Sequence, residues 1–147
     1  MVAALAALIA FLGTQAHRAQ QTDFLRAEYV KVGRQGAVNL TTIDWQRADA
    51  DVRRILDTAT GTFYDDFSQR AQPFVDVVKE VQSVSVGTVT VAGLESSTDT
   101  DAQVLVAVSV ETTTSAAPQQ TSRAWRMRIS VQKTEDGMKV SNVKFVS

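Results

Sequence analysis

The stretch FVDVVKEVQSVSVGTVTV, residues 74–91, carries two hydrophobic periods in succession. Phe74, Val77, Val78 and Val81 recur three and four residues apart, the stripe of an amphipathic helix. From Val84 the spacing falls to two: Val84 and Val86 alternate with polar neighbours, and Val89 and Val91 resume beyond Gly87. Successive strand side chains point to opposite faces, so this is the period of a half-buried strand. The valine parity changes across Gly87, which predicts a β-bulge or bend at that glycine. Helix gives way to strand near Gln82.

Downstream, the period of two persists. Val104, Val106, Val108 and Val110 mark a second strand, and Trp125, Met127, Ile129 and Val131 a third. Residues 138–146 form a fourth, joined to the third through Asp136-Gly137, a strong hairpin signal. Upstream, the period is helical. Val52, Ile55, Leu56 and Ala59 form an apolar stripe, with Asp49 or Asp51 favouring its N-terminus and Gly61 closing it. Thr62 then caps a further helix, with Asp65 and Asp66 in its first turn, and Pro73 divides that segment in two. Helices first and antiparallel strands afterwards define an α+β domain. The expected architecture is a curved four-stranded antiparallel sheet wrapped around helices, cone-like. Its expected core sets Phe63, Phe67 and Phe74 against Trp125, Met127 and Ile129.

The first sixteen residues pose a different question. Met1 to Leu12 holds no polar side chain, and Gly13 to Ala16 extends the run. As a helix, Val2 to Ala16 measures roughly 22 Å at ~1.5 Å per residue, whereas a bilayer core needs ~30 Å and about 20 apolar residues. The run reads as the end of a membrane helix whose basic cytoplasmic start is absent, as a signal-peptide apolar region, or as a buried soluble helix. Membrane anchoring is the expectation, with His17 and Arg18 at the interface. The organisation expected is thus an anchor over 1–16, a stalk helix over 17–38 and a cone domain over 39–147. Asn39-Leu40-Thr41-Thr42 reads as the intervening loop, and Asn39-Leu40-Thr41 also fits the N-glycosylation pattern.

Composition excludes more than it supplies. The 147 residues carry 15 Lys+Arg against 16 Asp+Glu, a net charge of −1. That balance provides no global field for a nucleic-acid backbone. Zero Cys removes disulfides, thiol catalysis and Cys-built metal sites, and a single His removes a multi-His cluster. No Gly-x-Ser-x-Gly elbow and no phosphate-binding glycine loop occurs, so no cofactor is expected.

Some candidates for a site remain. Asp44 beside Trp45 would serve as a base in an apolar pocket, where burial raises a carboxylate pKa; the same pair also reads as a helix cap and a packing anchor. Asp65 and Asp66 point ~100° apart on a helix and cannot face each other as an acid/base pair. His17 reads as a membrane-flanking side chain, and Asp99-Thr100-Asp101 as a turn between strands rather than a calcium loop. Residues 123–147 carry six basic and two acidic residues, leaving nine basic and fourteen acidic in residues 1–122. Arg126 and Arg128 share the strand face opposite Trp125 and Met127, where they would meet anionic headgroups or an acidic partner. The alternative is a solvated face with cross-strand pairing to residues such as Glu111.

Several short motifs, taken in order, carry a family likeness. They are Ile43-Asp44-Trp45, Val52-Arg53-Arg54-Ile55-Leu56, Thr60-Gly61-Thr62-Phe63, Phe67 and Arg70. Val104-Leu105-Val106-Ala107-Val108, Arg126-Met127-Arg128 and Val140-Ser141-Asn142-Val143-Lys144-Phe145-Val146 follow. Over roughly residues 17–147 the chain resembles the Mce-associated membrane proteins of mycobacteria and related actinobacteria. The resemblance implies one transmembrane helix in the inner membrane and an extracytoplasmic domain similar to the nuclear-transport-factor-two-like cone, as in periplasmic assembly factors of type IV secretion. It also implies a non-catalytic accessory role beside the transporter subunits of an Mce-type lipid importer, with no catalytic residues. A lipid-binding module, holding an apolar ligand inside the cone, is the alternative expectation.

Overall fold

A computed structural model describes residues 1–147. The chain opens with α1, Val2–Thr41, a single helix of 40 residues, about 60 Å long at ~1.5 Å per residue. After the short strand β1, Ile43–Asp44, and a 3-10 turn over Trp45–Arg47 come α2, Ala48–Asp57, and α3, Gly61–Glu80. Four long strands complete the fold: β2, Val84–Ser97; β3, Asp101–Thr113; β4, Thr121–Thr134; and β5, Gly137–Phe145. All five strands form one antiparallel sheet in the order β1-β2-β3-β4-β5. The expected α+β architecture holds, with a fifth strand two residues long added at the edge.

α1 divides by environment. Its residues 2–24 are exposed throughout, including Leu5, Leu8, Ile9, Phe11 and Leu12. From Leu25 onward one face turns inward, and Tyr29, Gly33, Gly36 and Ala37 are buried. That half lies on the inner face of the sheet with Val104, Val106, Met127, Ile129 and Val140, forming the larger core. Much of the segment expected as a stalk over 17–38 is therefore the helix that closes the domain, and the helix runs on through 39–41, where a loop was expected. A smaller core gathers Ile43, Ala48, Val52, Ile55, Val75 and Val78 beneath α2 and α3.

This arrangement displaces the expected aromatic core. Phe63 touches both clusters and Phe67 lies half-buried against the smaller one, while Phe74 is 36% and Trp125 37% exposed. α1 occupies the central rungs because two of its inward positions are glycines, which bring helix backbone directly onto Val104 and Val140. A stripe of phenylalanines identifies a helix that packs inward, but not which helix takes the middle of the sheet.

Three smaller expectations are corrected. Pro73 lies inside an unbroken α3; its missing N–H frees only the carbonyl of exposed Gln69, which water can satisfy. Gly61, at φ +59°, begins α3 rather than ending α2, so the N-cap position falls to Thr60 and Asp65 and Asp66 lie beyond the first turn. The sheet shifts register between Val89 and Val91 and between Leu94 and Ser96, not at Gly87. Gly87 is itself an inward position: a Cβ there would collide with the Thr41 side chain, and its N–H donates to Thr42 Oγ1 at 3.1 Å. Val86 and Val91 consequently face outward, 49% and 63% exposed.

Tyr29 fastens the β2–β3 turn to α1. Its side chain is fully buried, and its hydroxyl donates to the Thr98 carbonyl at 3.2 Å. Burial, with Asp101 and Asp99 nearby, raises its pKa above 10.0. A group with a raised folded pKa stabilises fully below its unfolded pKa, and that contribution is lost as pH rises through the folded value. Tyr29→Phe should cost about 1 kcal/mol at neutral pH. It should also remove Tyr29's part of the alkaline loss of stability, as checked by urea unfolding on either side of pH 10.

Candidate functional site

One end of the sheet remains open on its inner face. The register stacks Ser85, Thr112 and Thr121 on one rung and Gly87, Val110 and Arg123 on a second. The third holds Val89, Val108 and Trp125, and Met127 pairs with Phe145 beyond it. α1 ends at Thr41 and α3 passes opposite, leaving a cleft of about 580 Å³ between them and the strands. Leu40, Ile43, Phe74 and Val78 form its walls, and Val110, Trp125 and Phe145 its apolar floor. Trp125 and Phe145 meet edge to face with centroids 5.3 Å apart, and Phe145 is 64% exposed.

A second hollow of about 320 Å³ shares Leu40, Thr41 and Phe145 with the first and continues past Phe63 and Phe67 to Arg70. Phe63, Phe67 and Phe74 follow one another along α3, with ring centroids 5.8 and 6.3 Å apart. The aromatic residues expected to fill the core thus line an open groove. Clefts lined by partly exposed aromatic residues are the usual form of a small-molecule or partner site.

One charge enters the cleft. Arg123 stands on the inward parity of β4, between Thr121 and Trp125. Its guanidinium takes part in none of the four ion pairs. Sequence reasoning missed Arg123, although a cation in phase with Trp125, Met127 and Ile129 is a legible signal: it stands on the apolar side of a strand.

Asp44 lies elsewhere. Its carboxylate accepts the Gln46 N–H at 2.9 Å, capping the 3-10 turn, and lies 3.7 Å from Arg47. Trp45 packs on the smaller core. The cap-and-anchor reading describes this pair, although the turn that Asp44 caps precedes α2. Beside it, buried Asp51 accepts the Asp44 N–H at 2.9 Å and pairs with Arg54 at 3.0 Å. Asp51→Ala would leave the Asp44 N–H without its acceptor, while Arg54 keeps the Thr42 carbonyl at 3.2 Å, and should cost about 1–3 kcal/mol, measured by thermal unfolding. Asp65 and Asp66 are exposed, and His17 meets only Gln21, at 3.1 Å. Asp99 and Asp101 belong to the turn organised by Thr98, whose hydroxyl accepts the Thr100 and Asp101 N–H groups.

The outer face of the sheet carries Arg126 and Arg128, opposite in sense to Trp125 and Met127. Arg128 forks onto Glu95 at 2.7 and 3.3 Å, and that carboxylate raises its pKa further. Glu95 falls at the register shift between Leu94 and Ser96. Glu111 stands opposite Ser122, so the cross-strand partner of Arg128 is Glu95. Arg126 makes no ion pair and borders a shallow depression of about 420 Å³ with Val91, Leu105 and Val146.

The sequence matches, over residues 1–147, the model of a family described as "Uncharacterized protein Rv1363c/MT1408-like". This chain belongs to that family. The protein Rv1363c of Mycobacterium tuberculosis is 36% identical over 152 residues, covering 99% of this chain and 58% of its own length. This Rv1363c/MT1408-like chain thus spans little more than half of that relative. In fold it is similar to an IcmL-like type IV secretion system protein of Legionella pneumophila, with TM-score 0.67 and 12% identity over 82% of this chain and 91% of that one. The periplasmic domain of DotI gives TM-score 0.67 and 12% identity over 80% and 91%. An Ntf2-like protein involved in plasmid conjugation gives 0.56 and 14% over 84% and 49%. At these identities the likeness is one of fold, and the expected cone is the fold found.

Proposed function

We propose that this chain is a membrane-tethered accessory domain that acts by protein–protein contact in an Mce-type lipid import system, at the outer face of the inner membrane, without chemistry of its own. The observation that carries this reading is the continuity of α1. As a whole α1 is long enough to cross a membrane, with an exposed 18-residue apolar window near its N-terminus, and its second half packs into the core of the domain. A rigid helix shared between bilayer and core holds the domain at a set height and orientation, as an assembly part requires. The fold likeness to a periplasmic domain and to a conjugation protein supports an extracytoplasmic position. Affinity purification from gently solubilised native membranes tests the reading: transporter subunits of the Mce type should co-purify, and their absence would reject it. A second reading, a carrier of an apolar ligand, is favoured by the cleft between α3 and the sheet.

A further inference from the structure

We propose that the cleft holds a single-chain amphiphile with a carboxylate head, a long-chain fatty acid, bound head-first on Arg123. The inference rests on the carrier reading and is independent of the assembly role. Its basis is the match between one cation outside every ion pair and a cleft whose floor and walls are mostly apolar, with hydroxyl side chains clustered at the Arg123 end. Arg123 shares its strand face with Thr121, which pairs with Thr112; the Thr121 hydroxyl donates to the Thr112 carbonyl at 3.4 Å, which leaves the Thr112 hydroxyl as a further donor to a head group. A guanidinium presents a planar fork that suits a carboxylate. A doubly charged phosphate would call for a second cation, and the other arginine of the groove, Arg70, borders the far hollow.

The tail would follow the residues that the two hollows share, Leu40, Thr41 and Phe145. From Arg123 it passes Val110 and Trp125, crosses beneath Phe74, and reaches Phe145, where the two hollows meet. The second hollow then extends it along Phe67. The main cleft, at about 580 Å³, is within the ~300–1,000 Å³ typical of small-molecule sites. Binding would cover the exposed faces of Trp125, Phe74 and Phe145, which is the apolar burial that drives such association.

The test uses the full chain in lipid nanodiscs with a photoactivatable, diazirine-bearing fatty acid and the corresponding long-chain alcohol. Adducts are mapped to peptides by mass spectrometry. The acid should label peptides carrying Phe74 and Trp125. Arg123→Gln should reduce that labelling about tenfold, the loss expected for one charge-assisted hydrogen-bond pair, with thermal unfolding unchanged, and Arg123→Lys, which keeps the charge but not the fork, should restore part of it. Equal labelling of the cleft by acid and alcohol, insensitive to Arg123→Gln, would overturn the carboxylate assignment and leave the carrier reading standing. Labelling confined to residues 2–24 of α1, with none in the cleft from either probe, would overturn both.

Discussion

A form of this chain beginning near Gln20 should fold as the full chain does and support lipid uptake poorly. Residues 2–24 of α1 are exposed, and the larger core begins with half-buried Leu25 and fully buried Tyr29. Truncation before Gln20 removes no core contact, so the midpoint of thermal unfolding should stay in place. Function should suffer because a tether replaces encounter in bulk with encounter at the membrane surface. Loss of such an effective concentration lowers occupancy by about 10²–10⁴-fold. Uptake of a labelled lipid, with the truncated and full chains expressed at equal levels in cells lacking the native protein, measures this. Asp44→Asn is the matched control: its amide oxygen can still accept the Gln46 N–H, so uptake should be largely retained. An active untethered domain that Asp44→Asn silences without loss of stability would replace contact with chemistry as the working principle.

Gly33→Val should be strongly damaging, costing about 3 kcal/mol or more, at or beyond the upper end of overpacking effects. A Cβ at Gly33 would stand 2.7 Å from Val104 Cγ1 and 2.8 Å from Val104 Cβ. Val104 is fully buried and paired between Leu94 and Ile129. A branched side chain so confined cannot rotate away, so α1 would have to lift from the sheet that it closes. Gly33→Ala meets the same obstacle with one methyl and recovers up to ~1 kcal/mol of helix propensity, so it should fall between wild type and Gly33→Val. Gly13, with nothing within 4 Å of the corresponding position, gives the control: Gly13→Val should leave the domain's unfolding unchanged. Urea unfolding followed by tryptophan fluorescence orders the three variants, and equal stability of Gly33→Val and wild type would mean that α1 does not seat where described.

The cleft itself was half legible. Phe63, Phe67 and Phe74 stand out as an inward stripe, and Trp125 as an inward member of its strand. Period alone predicts that such residues face the interior; it does not predict that the interior is already occupied. Once α1 takes the central rungs, the aromatic set is left at the rim, half-covered. Arg128 follows the same logic. Its outward sense is a matter of counting along β4, but its partner depends on register shifts in β2 that bring Glu95 onto the same face.

Read by itself, the sequence determined the kinds and order of the long elements, the passage from helix to strand near Gln82, the hairpin at Asp136-Gly137 and the apolar, exposed start of α1. These are local properties, because the period of apolar residues and the chemistry of turns act within a few residues of chain. Only the tertiary structure decided that α1 rather than α3 covers the middle of the sheet, that Gly87 faces Thr41, and that an unpaired arginine ends in an aromatic cleft. Those outcomes depend on which surfaces approach most closely. That is a matter of steric fit between distant segments: the missing Cβ atoms of Gly33 and Gly36 on one side, Val104 and Val140 on the other.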